Sequence, residues 1–74
     1  MLIKYKTSVI NLDKVSEYVK SNTKGIRFFF DSFDHETNQV TCSELEFSSE
    51  EEREQALHAI KISYLTHLRF CELD

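Results

Sequence analysis

Residues 25–33 read GIRFFFDSF, three phenylalanines in a row and a fourth three positions later. Side chains adjacent on a strand point to opposite faces. A strand built from this run is therefore apolar on both sides. Ile26, Phe28 and Phe30 share one face; Phe29 and Phe33 share the other with Arg27 and Asp31. The chain has 74 residues. A domain of that size buries about 60% of its unfolded surface and sits near the lower limit of independent folding. It has little material with which to cover both faces of such a strand.

The chain contains one glycine, Gly25, and no proline. Linkers and low-complexity tracts are therefore not expected, and residues 1–74 read as a single small domain. An apolar share of 41% and a charged share of 30% fit a globular protein rather than a disordered one. The opening MLIKYKTSVINLDK lacks the apolar core of a signal peptide. No stretch approaches the ~20 apolar residues of a membrane span. The expectation is a cytoplasmic protein without a membrane partner. In that compartment Cys42 and Cys71 are expected to be reduced packing residues, dispensable for the fold.

The net charge of −4 conceals an asymmetry. Residues 1–30 carry six basic side chains and two acids, whereas residues 31–54 carry nine acids and only Arg53. Two readings follow. Oppositely charged strands and turns become neighbours within one fold, or the surface is bipolar and favours association. The basic segment is too sparse to indicate nucleic acid.

Along the chain, residues 2–10 alternate, with Ile3, Tyr5, Thr7 and Val9 on one side, and read as a half-buried strand. Residues 15–20 fit a strand, with Val15 and Val19 on one face. They also fit a short helix through Leu12, Val15 and Val19, and the strand is preferred. SNTKG reads as a turn in which Gly25 is free to take positive φ. Residues 26–33 form the central strand, and VTCSELEF (40–47) returns beside it. Val40 and Cys42 share one parity and Leu45 and Phe47 the other, which predicts a bulge near Ser43–Glu44. In SSEEEREQALHAIKISYL either serine can cap a helix, with Glu51 or Glu52 at the third position. Three glutamates then lie where the helix dipole favours negative charge. Leu57, Ile60, Tyr64 and Leu68 recur as one apolar stripe. No glycine or proline ends the helix, which is expected to run to about residue 68 or further, and RFCELD reads as its last turn, a short strand or a frayed end.

Chemistry is sparse. His58 and His67 point to opposite sides of the predicted helix and cannot share a metal. DSFDHE gathers Asp31, Asp34, His35 and Glu36, yet the spacing matches no ligand pattern and the calcium-loop positions fail. No cysteine or serine sits in a glycine elbow or beside a spaced His/Asp set. Glycine-rich phosphate loops are absent. No catalytic residue, metal ligand or cofactor is expected.

The tracts VINLDKV (9–15) and LEFSSEEEREQA (45–56), with a phenylalanine-rich strand between them, resemble a class of small bacterial and phage proteins. In that class four short strands precede one acidic-capped helix. The resemblance covers roughly residues 3–60 and implies a ββββα arrangement with no activity attached. The fold class expected is α+β: an antiparallel sheet of about four strands with one long C-terminal helix packed on one face. The alternative is βαββα.

One helix covers one face. Phe28 and Phe30 are expected against Leu57, Ile60 and Tyr64, which leaves Phe29 and Phe33 on the uncovered side. Two aromatic rings bury ~150–250 Å² each when covered. At ~25 cal/mol/Å² that is several kcal/mol, comparable with the stability of a small domain. Either Tyr5, Tyr18 and lysine stems cover them, or a partner does, most simply a second copy packed sheet on sheet. The expectation is a non-enzymatic, homo-oligomeric protein-interaction module, a dimer first of all, with Phe29, Phe33 and Tyr18 at the interface or serving another protein. The alternative is a domain that binds a ligand or single-stranded nucleic acid through the basic N-terminal strands, stacking bases on Tyr5, Tyr18 and Phe29.

Overall fold

The computed structural model describes residues 1–22, 24–34, 36 and 39–74, with the side chains of residues 33, 34, 39 and 40 outside the description. Six strands and one α-helix follow in the order β1 (Leu2–Tyr5), β2 (Ser8–Asn11), β3 (Val15–Ser21), β4 (Gly25–Asp34), β5 (Gln39–Glu46), α1 (Glu50–Leu65) and β6 (Phe70–Glu72). The fold is α+β, with its single α-helix in the C-terminal part. The strands divide into two three-stranded sheets, ordered β2-β1-β6 and β3-β4-β5. All pairs are antiparallel except β1–β6, which is parallel because α1 lies in the return path.

Residues 2–10 are a hairpin rather than one strand. Tyr5 pairs with Ser8 across a two-residue turn, and Lys6 takes a φ of 54° to close it. No glycine or asparagine announces this turn, so the alternation carries no sign of it. The turn shifts the parity: Ile10 is buried and Val9 is exposed. A single 3-10 turn over Leu12–Lys14, capped by the Asn11 side chain, leads into β3. Residues 15–20 are therefore strand, and the βαββα alternative does not occur.

β4 is the centre of its sheet, as the phenylalanine run predicts. Ile26 pairs with Leu45 and Lys20, and Phe28 with Ser43 and Tyr18. Ile26 and Phe28 are fully buried, Phe30 is half-buried, and Arg27 is exposed on the other face. The expected bulge at Ser43–Glu44 is absent. The pairing runs without interruption from Cys42 to Glu46, and Cys42 lies on the outer face while Leu45 lies on the core face. The irregularity is on β4 instead, where residues 30–32 stand opposite Thr41 alone. A second one, at Val15–Glu17, lets the Ser16 hydroxyl donate to the Phe29 carbonyl at 3.1 Å.

Gly25 does not take positive φ; Asn22 does, at 32°, with its side-chain oxygen accepting the Lys24 N–H at 2.8 Å. Asparagine tolerates this region because its amide can close such a local bond. The requirement for glycine at 25 is close approach. A Cβ there would run into the Ser21 hydroxyl and lie 3.3 Å from the Ser21 carbonyl oxygen.

The core lies between the sheets and the helix. Ile3, Ile26, Phe28 and Ile60 are its fully buried residues, and Ile10, Ile3 and Cys71 form a row across β2-β1-β6. Full burial of each such side chain contributes about 1.5–3 kcal/mol. Tyr5 closes one end against Phe47, ring centroids 4.5 Å apart. Both cysteines are free thiols, but only Cys71 packs in the core; Cys42 is exposed.

Ser49 caps α1, its side chain accepting the Glu52 N–H at 3.1 Å. The Glu52 carboxylate in turn accepts the N–H of Ser48 at 3.0 Å, one residue before the position of the usual reciprocal box. The helix ends at Leu65, not residue 68. Leu68 N–H donates to the Ser63 carbonyl and His67 N–H to that of Tyr64, with His67 at φ 58°. This is the bond pattern of a glycine-type helix stop, made here by a histidine. The buried helical face is Arg53, Ala56, Ile60 and Ser63. It is rotated from the expected stripe: Leu57 is half-buried, and Tyr64 and Leu68 are exposed. Ala56 and Ser63 are small, which lets the helix approach closely, and a larger stripe would exceed the space that two short sheets enclose.

Arg53 is the charged residue inside this interface. Its NH1 donates to the Asn22 carbonyl at 2.8 Å and its NH2 to Glu54 at 2.9 Å. The guanidinium thus ties the first turns of α1 to the β3–β4 turn, while Nε finds no partner among the described residues.

Candidate functional site

The phenylalanine strand separates the residues that the sequence groups together. Phe29 lies on the outer face of β3-β4-β5, opposite Glu17 and Cys42, and is half-buried. Arg27 and Glu44 form an ion pair of 3.1 Å on the same face. Tyr18 lies on the opposite face, its ring 5.6 Å from that of Phe28, partly buried against the core. The side chains of Phe33 and Asp34 and the whole of His35 fall outside the described residues, while Asp31, Ser32 and Glu36 are exposed. Phe29 and Tyr18 therefore do not form one surface.

The charge asymmetry resolves in part within the fold, two of the six N-terminal cations meeting acids of residues 31–54. Arg27 pairs with Glu44, Lys20 with Glu54 at 2.8 Å, and Lys4 with Glu72 at 3.7 Å. The Lys20 ammonium, and after it the Arg53 guanidinium, hold the Glu54 carboxyl below the usual glutamate range.

Val19, opposite Arg27, is exposed on the outer face of β3-β4-β5, and the other exposed large apolar side chains lie elsewhere. Leu2, Val9 and Phe70 occupy the outer face of β2-β1-β6, with Leu2 directly opposite Phe70. Ile62, Tyr64, Leu65 and Leu68 cluster in sequence at the end of α1 and just beyond it. From Leu65 the path runs through Leu68 to Phe70, and the Leu2 N–H donates to the Arg69 carbonyl at 2.9 Å. Sequence reasoning missed this set because it placed Val9 on the wrong face and Leu68 within the buried stripe. The residual signal was the number of large apolar residues after Ile60, more than one helical face can bury.

Between the 3-10 turn, the start of β3 and the end of α1 lies an open groove of about 480 Å³, with Leu12, Val15, Tyr18 and Tyr64 as its apolar and aromatic lining and Asp13 and Glu17 as its acids. Among the described residues no group of three His, Cys, Asp or Glu side chains is placed to hold a metal ion. No helix among them is long and apolar enough to cross a membrane. No family model matches the chain, and no curated protein or solved structure matches it either.

Proposed function

We propose that the chain is a non-enzymatic interaction module that self-associates, in the first instance as a dimer. One observation carries this reading: the uncovered apolar run from the end of α1 through Leu68 and Phe70 to Leu2. Leu2, Val9, Leu65, Leu68 and Phe70 are half-exposed, and at on the order of 100 Å² each they supply more than half of the ~800 Å² per partner of a standard interface. Scattered apolar residues are normal on a surface, whereas a run of this size marks an interaction site. A second copy is the simplest partner, since a two-fold contact needs only one patch. The nucleic-acid alternative has less support, because Tyr5 is buried under Phe47 and Tyr18 is turned toward Phe28.

Sedimentation equilibrium tests this reading. The wild type should exceed monomer mass at about 100 μM. Leu65→Lys with Phe70→Lys should return it to monomer with helical signal intact, because both residues are exposed. Phe29→Asp with Phe33→Asp examines the other face in the same way; loss of mass there alone moves the interface to the phenylalanine strand. A wild type that stays monomeric ends the proposal.

A further inference from the structure

We propose that the groove beside the 3-10 turn receives the cationic side chain, lysine or arginine, of a protein partner. The site does not depend on self-association. Its volume, about 480 Å³, is within the range of pockets that hold small organic groups. Its walls include two tyrosines. Tyr18 is held by its contact with Phe28, 5.6 Å between centroids, so that wall is fixed before any partner arrives. Tyr64 is 65% exposed and offers its ring from the helix side. Aromatic faces attract ammonium and guanidinium groups through the ring quadrupole, and leave carboxylates unrewarded.

The charges around the groove have the same sense. Asp13 and Glu17 line it. Asp13 is engaged by the Met1 ammonium at 3.0 Å, an instance of the same ammonium–carboxylate pairing at the rim. Glu17 has no ion pair among the described residues. The last turn of α1, which contains Tyr64, carries no basic residue. The opposing positive groups are Lys14, next to Asp13 in the chain, and the Met1 ammonium; His67 lines the adjoining hollow with Asp13 and Tyr64. One carboxylate without an ion pair and two aromatic walls thus converge on a hollow of side-chain size.

Tyrosine fluorescence reads this site directly. The chain has three tyrosines and no tryptophan, and two of the three line the groove. Full-length protein is titrated with N-acetyl-lysine amide, N-acetyl-arginine amide, N-acetyl-norleucine amide and N-acetyl-glutamate amide. The basic probes should give saturable changes in the millimolar range, at least tenfold tighter than norleucine and weakened by salt. Glu17→Gln should weaken them about threefold or more, and Tyr64→Ala about tenfold. Both residues are exposed, so the fold persists and circular dichroism checks that it does. Equal affinity for norleucine makes the groove merely apolar and overturns the proposal, as does preference for the acidic probe. Failure of Tyr64→Ala to change binding overturns it too. Signal that follows protein concentration and ignores every probe assigns the groove to a second copy and overturns it likewise. Sedimentation is a separate readout, so failure here leaves the dimer reading standing, and the reverse.

Discussion

The two sheets are built in different ways. In β3-β4-β5, an antiparallel meander, each strand pairs with its neighbour in the chain, and its central strand is the phenylalanine run. In β2-β1-β6 a short hairpin is completed by a strand that comes after the helix, with Leu2 set beside Phe70. The first sheet closes short loops; the second must close nearly the whole chain. Loop closure costs entropy before long-range contacts repay it, so the second sheet depends on α1 being formed and docked. The lesson is that one core joins a locally encoded half to a half that exists only through the tertiary fold.

Phe28→Ala should have the largest effect. It removes a fully buried ring that faces the shared core and should cost about 3–5 kcal/mol, most of a small domain's stability. Denaturation followed by circular dichroism should show both sheets lost in one transition. Survival of the hairpin signal after the meander melts would break the claim of a single core.

Arg53→Ala tests the tie between α1 and the meander. It leaves the Asn22 carbonyl without its 2.8 Å donor and removes a buried aliphatic stem, an expected loss of about 2–3 kcal/mol. Hydrogen exchange should then speed up in β6 more than in β4, because β6 reaches its place only through the docked helix. Equal acceleration in both strands would erase the distinction between the sheets.

The two ends of α1 sharpen the same comparison with smaller effects of opposite sign. Ser49→Ala should cost about 1 kcal/mol, while Ser48→Ala should change little, because the cap uses the Ser49 side chain and only the backbone N–H of Ser48. His67→Gly should stabilise by about 1 kcal/mol, since a residue with a Cβ is strained at φ 58° and glycine is not. Urea midpoints measure all three. A destabilised His67→Gly would mean that the imidazole contributes more than the backbone strain it carries.

The smallest effect is in acid. The Glu54 carboxyl titrates below its unfolded value because of Lys20 and Arg53. Its contribution is therefore present above the unfolded value of about 4.3 and fades as pH falls through the lower folded one. Glu54 and Lys20 are both exposed, so the slope should flatten in high salt. Glu54→Gln should flatten it as well. An acid limb unchanged by that substitution would remove the pair from the account.

The candidate surfaces were less legible than the fold. Phe29 was read correctly as facing away from the core, from parity alone. Tyr18 was placed with it, yet a one-residue irregularity at Val15–Glu17 sets Tyr18 opposite Phe28. Val9 was assigned to the core face because a two-residue turn at Lys6–Thr7 has none of the residues that usually mark one. Pattern reading fails at such points because a single irregular residue exchanges every face that follows it.

What the sequence determined by itself was local. The serine–glutamate cluster specifies where α1 begins and the phenylalanine run specifies the central strand, because these depend on neighbours within a few residues; residues 15–20 by themselves fit a strand and a short helix alike. What the tertiary structure decided was everything that needs distant partners. The C-terminal RFCELD becomes a strand because the free edge of β1 accepts it, Arg53 is buried because the β3–β4 turn supplies an acceptor, and α1 stops at Leu65 because His67 takes a left-handed conformation that no local preference requires. Of the large apolar residues in excess of what a small core can hold, composition states only that some remain outside. The packing of two sheets and one helix decides that these include Leu2, Leu65, Leu68 and Phe70, because the small face of Ala56 and Ser63 is the one that lets the helix approach.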